Sequence, residues 1–252
     1  MNNAISQEHN QRLWHTRYGL VTAVPTENPA ARSLQLYGEW AEQEIDLLSG
    51  AIQEGHTVLE FGADYGAHTL WLAQAVGEKG QVHVAEPARI PFQLLCANVA
   101  INGLPNVYTH ARWLGGSKGQ LPMSALSGRP VHRGDSDEAV RLTTVDDLEL
   151  EALHLIKMNV PGALLDLLAG ATETIRKHRP LLYARLTGIE RAEAEVQAIK
   201  DLGYRCWSHA PYLFNRDNHA GNKSNVFPGC VFQNVIAAPV ESRYEFDPRR
   251  EL

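Results

Sequence analysis

The residues best suited to chemistry sit in one short run, Glu60-Phe61-Gly62-Ala63-Asp64-Tyr65-Gly66. Glycines spaced G-x-x-x-G between a strand and a helix let backbone approach a ligand closely and aim the first amides of the helix at it. The dinucleotide fingerprint G-x-G-x-x-G would need glycine at Asp64, so a pyrophosphate site is disfavoured. An acid two places before the first glycine, Glu60, suits a ligand that carries an ammonium. A second acid, Glu86, closes the next strand, where its two oxygens can accept both hydroxyls of a ribose.

Glu60, Gly62, Gly66 and Glu86 together fit S-adenosylmethionine (SAM), which has a ribose and an amino-acid moiety but no phosphate. Each feature alone is also what a tight structural connection would show. Two other matches fail on context. Gly115-Gly116-Ser117-Lys118-Gly119 satisfies G-x-S-x-G, yet Pro122 and the absence of a following helix prevent a nucleophile elbow. Gly221-Asn222-Lys223-Ser224 lacks the earlier glycine and the preceding strand of a phosphate loop.

The elements that must position these residues follow from periodicity. Thr57 to Phe61 reads as a strand, Thr69 to Val76 as a helix, Gln81 to Ala85 as a strand, Pro91 to Asn102 as a helix and Asn106 to His110 as a strand. Residues 114 to 136, rich in glycine, proline and serine, read as a long loop. Alternation resumes with a strand from Leu153 to Met158, a helix from Ala163 to Lys177, a strand from Pro180 to Leu186 and a helix from Arg191 to Leu202. Tyr204 to His209 and Val231 to Ala237 have no helix between them, so they pair antiparallel at one edge. The pattern predicts an α/β fold, a mostly parallel sheet with helices on both faces. Residues 1 to 30 read as a polar arm or lid, followed by amphipathic helices between Ala31 and Ile52.

Composition narrows the class. The chain has 252 residues, 44% hydrophobic and 21% charged, which is ordinary globular usage and excludes disordered and small-scaffold classes. A net charge of -6 without a basic block makes nucleic acid a poor partner. Three cysteines, Cys96, Cys206 and Cys230, show no metal or disulfide spacing, and the eleven histidines are scattered, so no metal is expected. With no leader-like start and no long apolar run, the expected location is cytoplasmic.

Several ordered stretches resemble the FkbM-type family of SAM-dependent methyltransferases: VLEFGADYGAHTLWLAQAVGEKGQVHVAEP, FQLLCANVAINGLPNV, TTVDDL, HLIKMNVPGALLDLLAGA, RPLLYARL and LFNRDNHAGNKSNVF. The similarity runs from about Tyr37 to Pro239. It implies a seven-stranded class I methyltransferase fold, with residues 53–240 as the methyltransferase domain, 1–52 as a lid-side arm with helices and 241–252 as a tail. It also implies SAM as cofactor and methyl transfer to a hydroxyl of a small molecule, sugar or natural product. Glu60, Gly62, Ala63, Asp64, Tyr65 and Gly66 match the family's glycine-rich motif. Glu86, with Pro87, matches its ribose-binding acid, and Ala111, Arg112 and Trp113 fall where an adenine-side contact is expected.

The acceptor half departs from the family. Where it usually reads Lys-Ile-Asp-Val-Glu-Gly, this chain reads Lys157-Met158-Asn159-Val160-Pro161-Gly162, and Ala184-Arg185 stand where a further Glu is usual. Asn159 cannot be a general base but can position an acceptor. His68 and His219 are candidate bases, with Asp64 and Lys157 behind them, although an unpaired histidine more often only hydrogen-bonds. Asn215, Asn218 and Asn222, in a polar loop, suit a polyhydroxylated acceptor, and are equally ordinary turn formers. Trp14, Tyr18, Tyr37 and Trp40 either wall the pocket or pack the core. A second reading, motivated by Asn159, Pro161 and Arg185, is a weakened methyltransferase fold serving as a binding or regulatory subunit. A hydride-transferring Rossmann enzyme ranks behind both. The sequence leaves the oligomeric state open, a homodimer included.

Overall fold

A computed structural model describes residues 12–24, 28–126 and 138–252. Its centre is a seven-stranded sheet of order β11-β12-β10-β9-β3-β4-β5. The strands are β3 (Thr57–Phe61), β4 (Gln81–Ala85), β5 (Val107–His110), β9 (Leu155–Met158), β10 (Leu181–Arg185), β11 (Tyr204–His209) and β12 (Asn234–Pro239). Neighbours β10-β9-β3-β4-β5 run parallel, whereas β12 is antiparallel to both β10 and β11. The expected edge pair is therefore present, joined by residues 210–233.

The strands are apolar on both faces because helices cover both. Leu59, Phe61, Ile156, Met158, Leu182, Ala184, Val235 and Ala237 join one core cluster. Val58, Leu155, Leu181, Tyr183, Trp207 and Ile236 join the other. The helices are α1 (Pro29–Tyr37), α2 (Glu42–Ser49), α3 (Ala67–Val76), α4 (Arg89–Ile101), α5 (Leu164–Ala169), α6 (Thr172–His178) and α7 (Ile189–Asp201). The single helix expected over 163–177 breaks at Gly170, where a Cβ would lie 2.0 Å from the carbonyl oxygen of Gly115.

Two regions carry strands the periodicity did not reveal. The N-terminal arm contains a hairpin, β1 (Arg12–Thr16) with β2 (Gly19–Ala23), before the helices begin. In the stretch 114 to 136 read as a long loop and at its two ends, β6 (Trp113–Leu114), β7 (Gly119–Pro122) and β8 (Ala139–Thr143) form a three-stranded sheet of order β6-β8-β7. Gly, Pro and Ser there mark its turns, and β7 is exposed throughout, so no alternation betrays it. Residues 127–137 of that stretch lie outside the described residues. Tyr18, Tyr37 and Trp40 are core residues, and Trp14 packs partly buried against them.

Candidate active site

The loop after β3 turns on three residues in the left-handed region: Gly62 (φ 83), Asp64 (φ 50) and Gly66 (φ 81). Packing forces two of them to be glycine. A Cβ on Gly62 would lie 2.4 Å from Val160 Cγ2, and one on Gly66 2.4 Å from Leu95 Cδ1. Asp64 holds a conformation that costs a non-glycine residue. Its amide donates to Glu86 Oε2 at 3.0 Å, and Ala88 N donates to Glu86 Oε1 at 2.8 Å. The pairing of Phe61 with Ala85 brings this acid beside the loop, as the order of the strands requires.

Glu60 has a different surrounding from the one its position suggests. It lies on the sheet face covered by α2 and α3, and so do Lys157, Arg185 and Asn234 by the alternation of their strands. Glu60 and Lys157 are register partners on β3 and β9. Lys157 Nζ donates to Glu60 Oε1 at 3.3 Å and lies 3.7 Å from Glu44 Oε2, while Thr69 Oγ1 donates to Glu60 Oε2 at 2.6 Å. Glu44 enters from α2 and also receives Arg185 Nη2 at 3.2 Å and Asn234 Nδ2 at 3.0 Å. Burial would push the Glu44 carboxyl up, but Lys157, Arg185 and His68 outweigh it and hold it down to about 2. Two acids and two bases thus meet out of water at the carboxyl edge of the sheet. The cation beside Glu60 is supplied by the chain.

His68 is buried against this cluster. Its Nε2 hydrogen-bonds Trp40 O at 2.7 Å, and burial, reinforced by Lys157, depresses its pKa to about 4. It is a neutral core histidine at ordinary pH, as the bland reading of an unpaired histidine holds. His219 is exposed, and its backbone amide donates to Glu39 Oε2. Asn159 follows β9, half-exposed. Its amide N–H donates to Phe61 O, and its carbonyl carbon and oxygen would lie 3.3 Å from a Cβ on Gly62. Its side chain makes no hydrogen bond to a described residue, which leaves it available at the lip of the loop.

The remaining predicted residues divide. Ala63 lines the loop and Tyr65 is buried beside it, Pro87 is buried after Glu86, and Ala111 and Arg112 are exposed past β5. Trp113 is core: its Nε1 donates to Asp166 Oδ2, and its ring meets Phe61 edge-on at 5.1 Å. Asn218 folds its own loop, and Asn215 and Asn222 tie that loop to residues 36–39. Asn215 Nδ2 donates to Glu39 Oε1, Asn218 Nδ2 donates to the carbonyls of Asn215 and Asn222, and Asn222 Nδ2 donates to Leu36 O. Glu39, in the turn between α1 and α2, and Glu44, on the acidic helix α2, are buried acids that carry no local signal in the sequence. Arg185 lies under Phe232, its guanidinium carbon 3.3 Å from the ring centre, and its Nε is buried with no hydrogen-bond partner among the described residues.

A parallel sheet closed by an antiparallel pair, with a glycine-rich turn and an acid on adjoining strand ends, is the class I SAM-dependent methyltransferase fold. The family model of the methyltransferase FkbM domain matches residues 60–206, and the chain belongs to that family. Among solved structures it is similar to the methyltransferase FkbM from Methylobacillus flagellatus KT, at 14% identity and a TM-score of 0.52. That match covers 84% of this chain and 55% of the other, so this chain spans about half its length. It is also similar to a SAM-dependent O-methyltransferase from Thermotoga maritima, at 13% identity and a TM-score of 0.50, covering 94% and 88% of the two chains. No curated protein matches the sequence. Among the described residues no helix is long and apolar enough to cross a membrane.

Proposed function

We propose that this chain binds SAM on the loop 62–66 and transfers its methyl group to a hydroxyl oxygen of a small-molecule, sugar or natural-product acceptor. The observation that carries the reading is the clamp of Glu86 on Asp64 N and Ala88 N, which fixes a carboxylate at the end of β4 beside the loop. The donor set fits the cofactor: an acid for ribose hydroxyls and closely approaching backbone for the amino-acid end. Bound SAM supplies a methyl group on a sulfonium, activated for in-line displacement.

The chain's own residues then divide the work. Glu86 anchors the ribose, with Gly62, Ala63, Asp64, Tyr65, Gly66 and Pro87 forming the cradle and Ala111 and Arg112 its adenine side. Glu60 and Lys157 hold the strand ends rigid through their ion pair. Asn159 orients the acceptor oxygen, because its amide is unspent and next to Gly62. His219, with Asp64 behind it, remains as the base in this reading, since the Nε2 of His68 is held by Trp40 O and Lys157 lies between two carboxylates. Residues 53–240 form the catalytic unit, 1–52 flank its acceptor side, and the protein works in the cytoplasm on a small acceptor rather than a nucleic acid.

Calorimetry tests the cofactor site: Glu86→Ala abolishes SAM binding, and tight binding unchanged by that substitution overturns the assignment. The weakened-subunit reading draws on one observation, the burial of both His68 and Lys157. Incubation with labelled SAM and host extracts separates the two, since transfer of label supports the enzyme and binding without transfer across extracts supports the subunit.

A further inference from the structure

Asn98, wholly buried on α4, uses its side-chain amide in three directions. Oδ1 accepts from Thr22 N at 2.7 Å, and Nδ2 donates to Thr22 O at 2.9 Å and to Tyr65 O at 2.7 Å. One turn later Asn102 repeats the exchange on Leu20, accepting from its N–H at 2.9 Å and donating to its carbonyl at 2.7 Å. Leu20 and Thr22 are alternate residues of β2, so their amides leave the hairpin on the side away from β1. A helix advances about 6 Å over four residues and a strand about 6.6 Å over two. Two asparagines at i and i+4 therefore match the repeat of a strand edge and take the place of a partner strand. Gly19 makes room for this, since a Cβ there would lie 2.2 Å from Asn102 Oδ1.

The two asparagines differ in one respect. Asn102 holds only the hairpin and its own helix, whereas Asn98 also holds the carbonyl of Tyr65 within the loop 62–66. The Tyr65 side chain shares a small core with Ala23 at the end of β2, Ala31 of α1 and Leu94 of α4. The hairpin and the loop thus meet at one side-chain amide and one aromatic ring.

We propose that Asn98 is a positioning residue for cofactor binding, coupling the N-terminal hairpin to the loop. This rests on the reading of the loop as the SAM site. The sheet side of the loop is tied through Gly62 N to Ala85 O and Asp64 N to Glu86, and the Asn98–Tyr65 hydrogen bond ties its helix side to α4 and the hairpin. By linkage, whatever the hairpin contributes to the loop, a ligand on the loop returns to the hairpin.

The test combines calorimetry with hydrogen exchange on the full chain. SAM slows exchange at the Leu20 and Thr22 amides of the wild type. Asn98→Ala weakens SAM binding about tenfold, the worth of a buried hydrogen bond and the group it leaves unpaired. Asn102→Ala speeds exchange at Leu20 but changes SAM binding by less than about twofold, because it leaves Tyr65 tied. A wild type that binds no SAM overturns the functional reading and this inference with it. A wild type that binds SAM overturns the coupling alone if Asn98→Ala binds as tightly or if Asn102→Ala loses as much. Should Asn98→Ala fail to fold, unchanged exchange at Leu20 and Thr22 on adding SAM to the wild type overturns it instead.

Discussion

Lys157 and Glu60 face each other across β9 and β3 as register partners, 3.3 Å apart and sealed from solvent. Removing two charges from water costs more than a single contact returns, so such a pair persists only when neighbours complete it. Here Glu44, Arg185 and Thr69 do so. Lys157→Met leaves two carboxylates buried without their common cation. The expected loss is about 3–5 kcal/mol of unfolding free energy, read from denaturant unfolding. A loss below about 1 kcal/mol, the level of an exposed pair, would show that water reaches the cluster.

The same cluster predicts how stability depends on pH. His68 titrates near 6.5 when unfolded and at about 4 in the fold, so the unfolded chain takes the proton first as pH falls. Its contribution is fully present above about pH 6.5 and is lost between there and about 4, amounting to up to roughly 3 kcal/mol. Glu44, held down to about 2, adds a second loss that begins only below about pH 4.5. Unfolding midpoints at pH 7, 5.5 and 4.5 should decline in the wild type and decline less steeply in His68→Gln, where His83, also held down to about 4 by burial, keeps its own share of the loss. An equal decline in both proteins would remove His68 from the account.

The part of this molecule that was legible in advance is the part with local periodicity. The strands Thr57–Phe61, Gln81–Ala85 and Tyr204–His209 have the predicted bounds, because each is a short run carrying β-branched, apolar or aromatic residues between Gly and Pro turn signals. The hairpin β1–β2 was not legible, since its partner on one side is a pair of helical asparagines, a pairing with no signature in the strand itself. Trp113 sits where an adenine contact was expected, but its indole turns to Asp166, a residue 53 positions on. Glu60 likewise lies where the motif requires and pairs with Lys157 rather than standing open. Position along the chain was predictable in these cases, and the partner across the fold was not.

Gly62→Ala separates loop packing from ligand contact. The new methyl would meet Val160 Cγ2 at 2.4 Å in a left-handed conformation that disfavours any side chain. The expected cost is about 1–3 kcal/mol of stability together with weaker SAM binding. Val160→Ala, added to Gly62→Ala, removes the clashing methyl and should restore part of the stability. If the double variant is no more stable than Gly62→Ala alone, the contact with Val160 is not what requires glycine.

Asn218→Ala should act on folding rather than on acceptor recognition. The side chain is buried and makes three hydrogen bonds that close the turn from Asn215 to Asn222. Its loss leaves two carbonyls and one amide unpaired, at a cost of about 1–3 kcal/mol. Differential scanning calorimetry should show the lowered Tm. A raised KM for the acceptor at unchanged Tm would instead give Asn218 a direct place in the binding site.

Asn159→Asp tests the lip of the loop, where two properties of the side chain pull apart. It is half-exposed and makes no hydrogen bond to a described residue, so a carboxylate of the same shape loses no partner and should leave stability within about 0.5 kcal/mol of wild type. The charge, however, would stand beside Gly62, in the loop that the proposed function gives to SAM and so near its sulfonium. A negative charge attracts a nearby sulfonium, and in a site partly withdrawn from water the attraction is not fully screened. Asn159→Asp should therefore tighten SAM binding several-fold, with the gain shrinking as salt is added, while leaving the affinity for a neutral sulfur analogue unchanged. Calorimetry with the two ligands at low and high salt distinguishes this from a packing effect, which would move both affinities together and ignore salt. If neither ligand responds, Asn159 does not face the methyl donor, and the role proposed for it in orienting an acceptor oxygen in line with the methyl group falls with that placement.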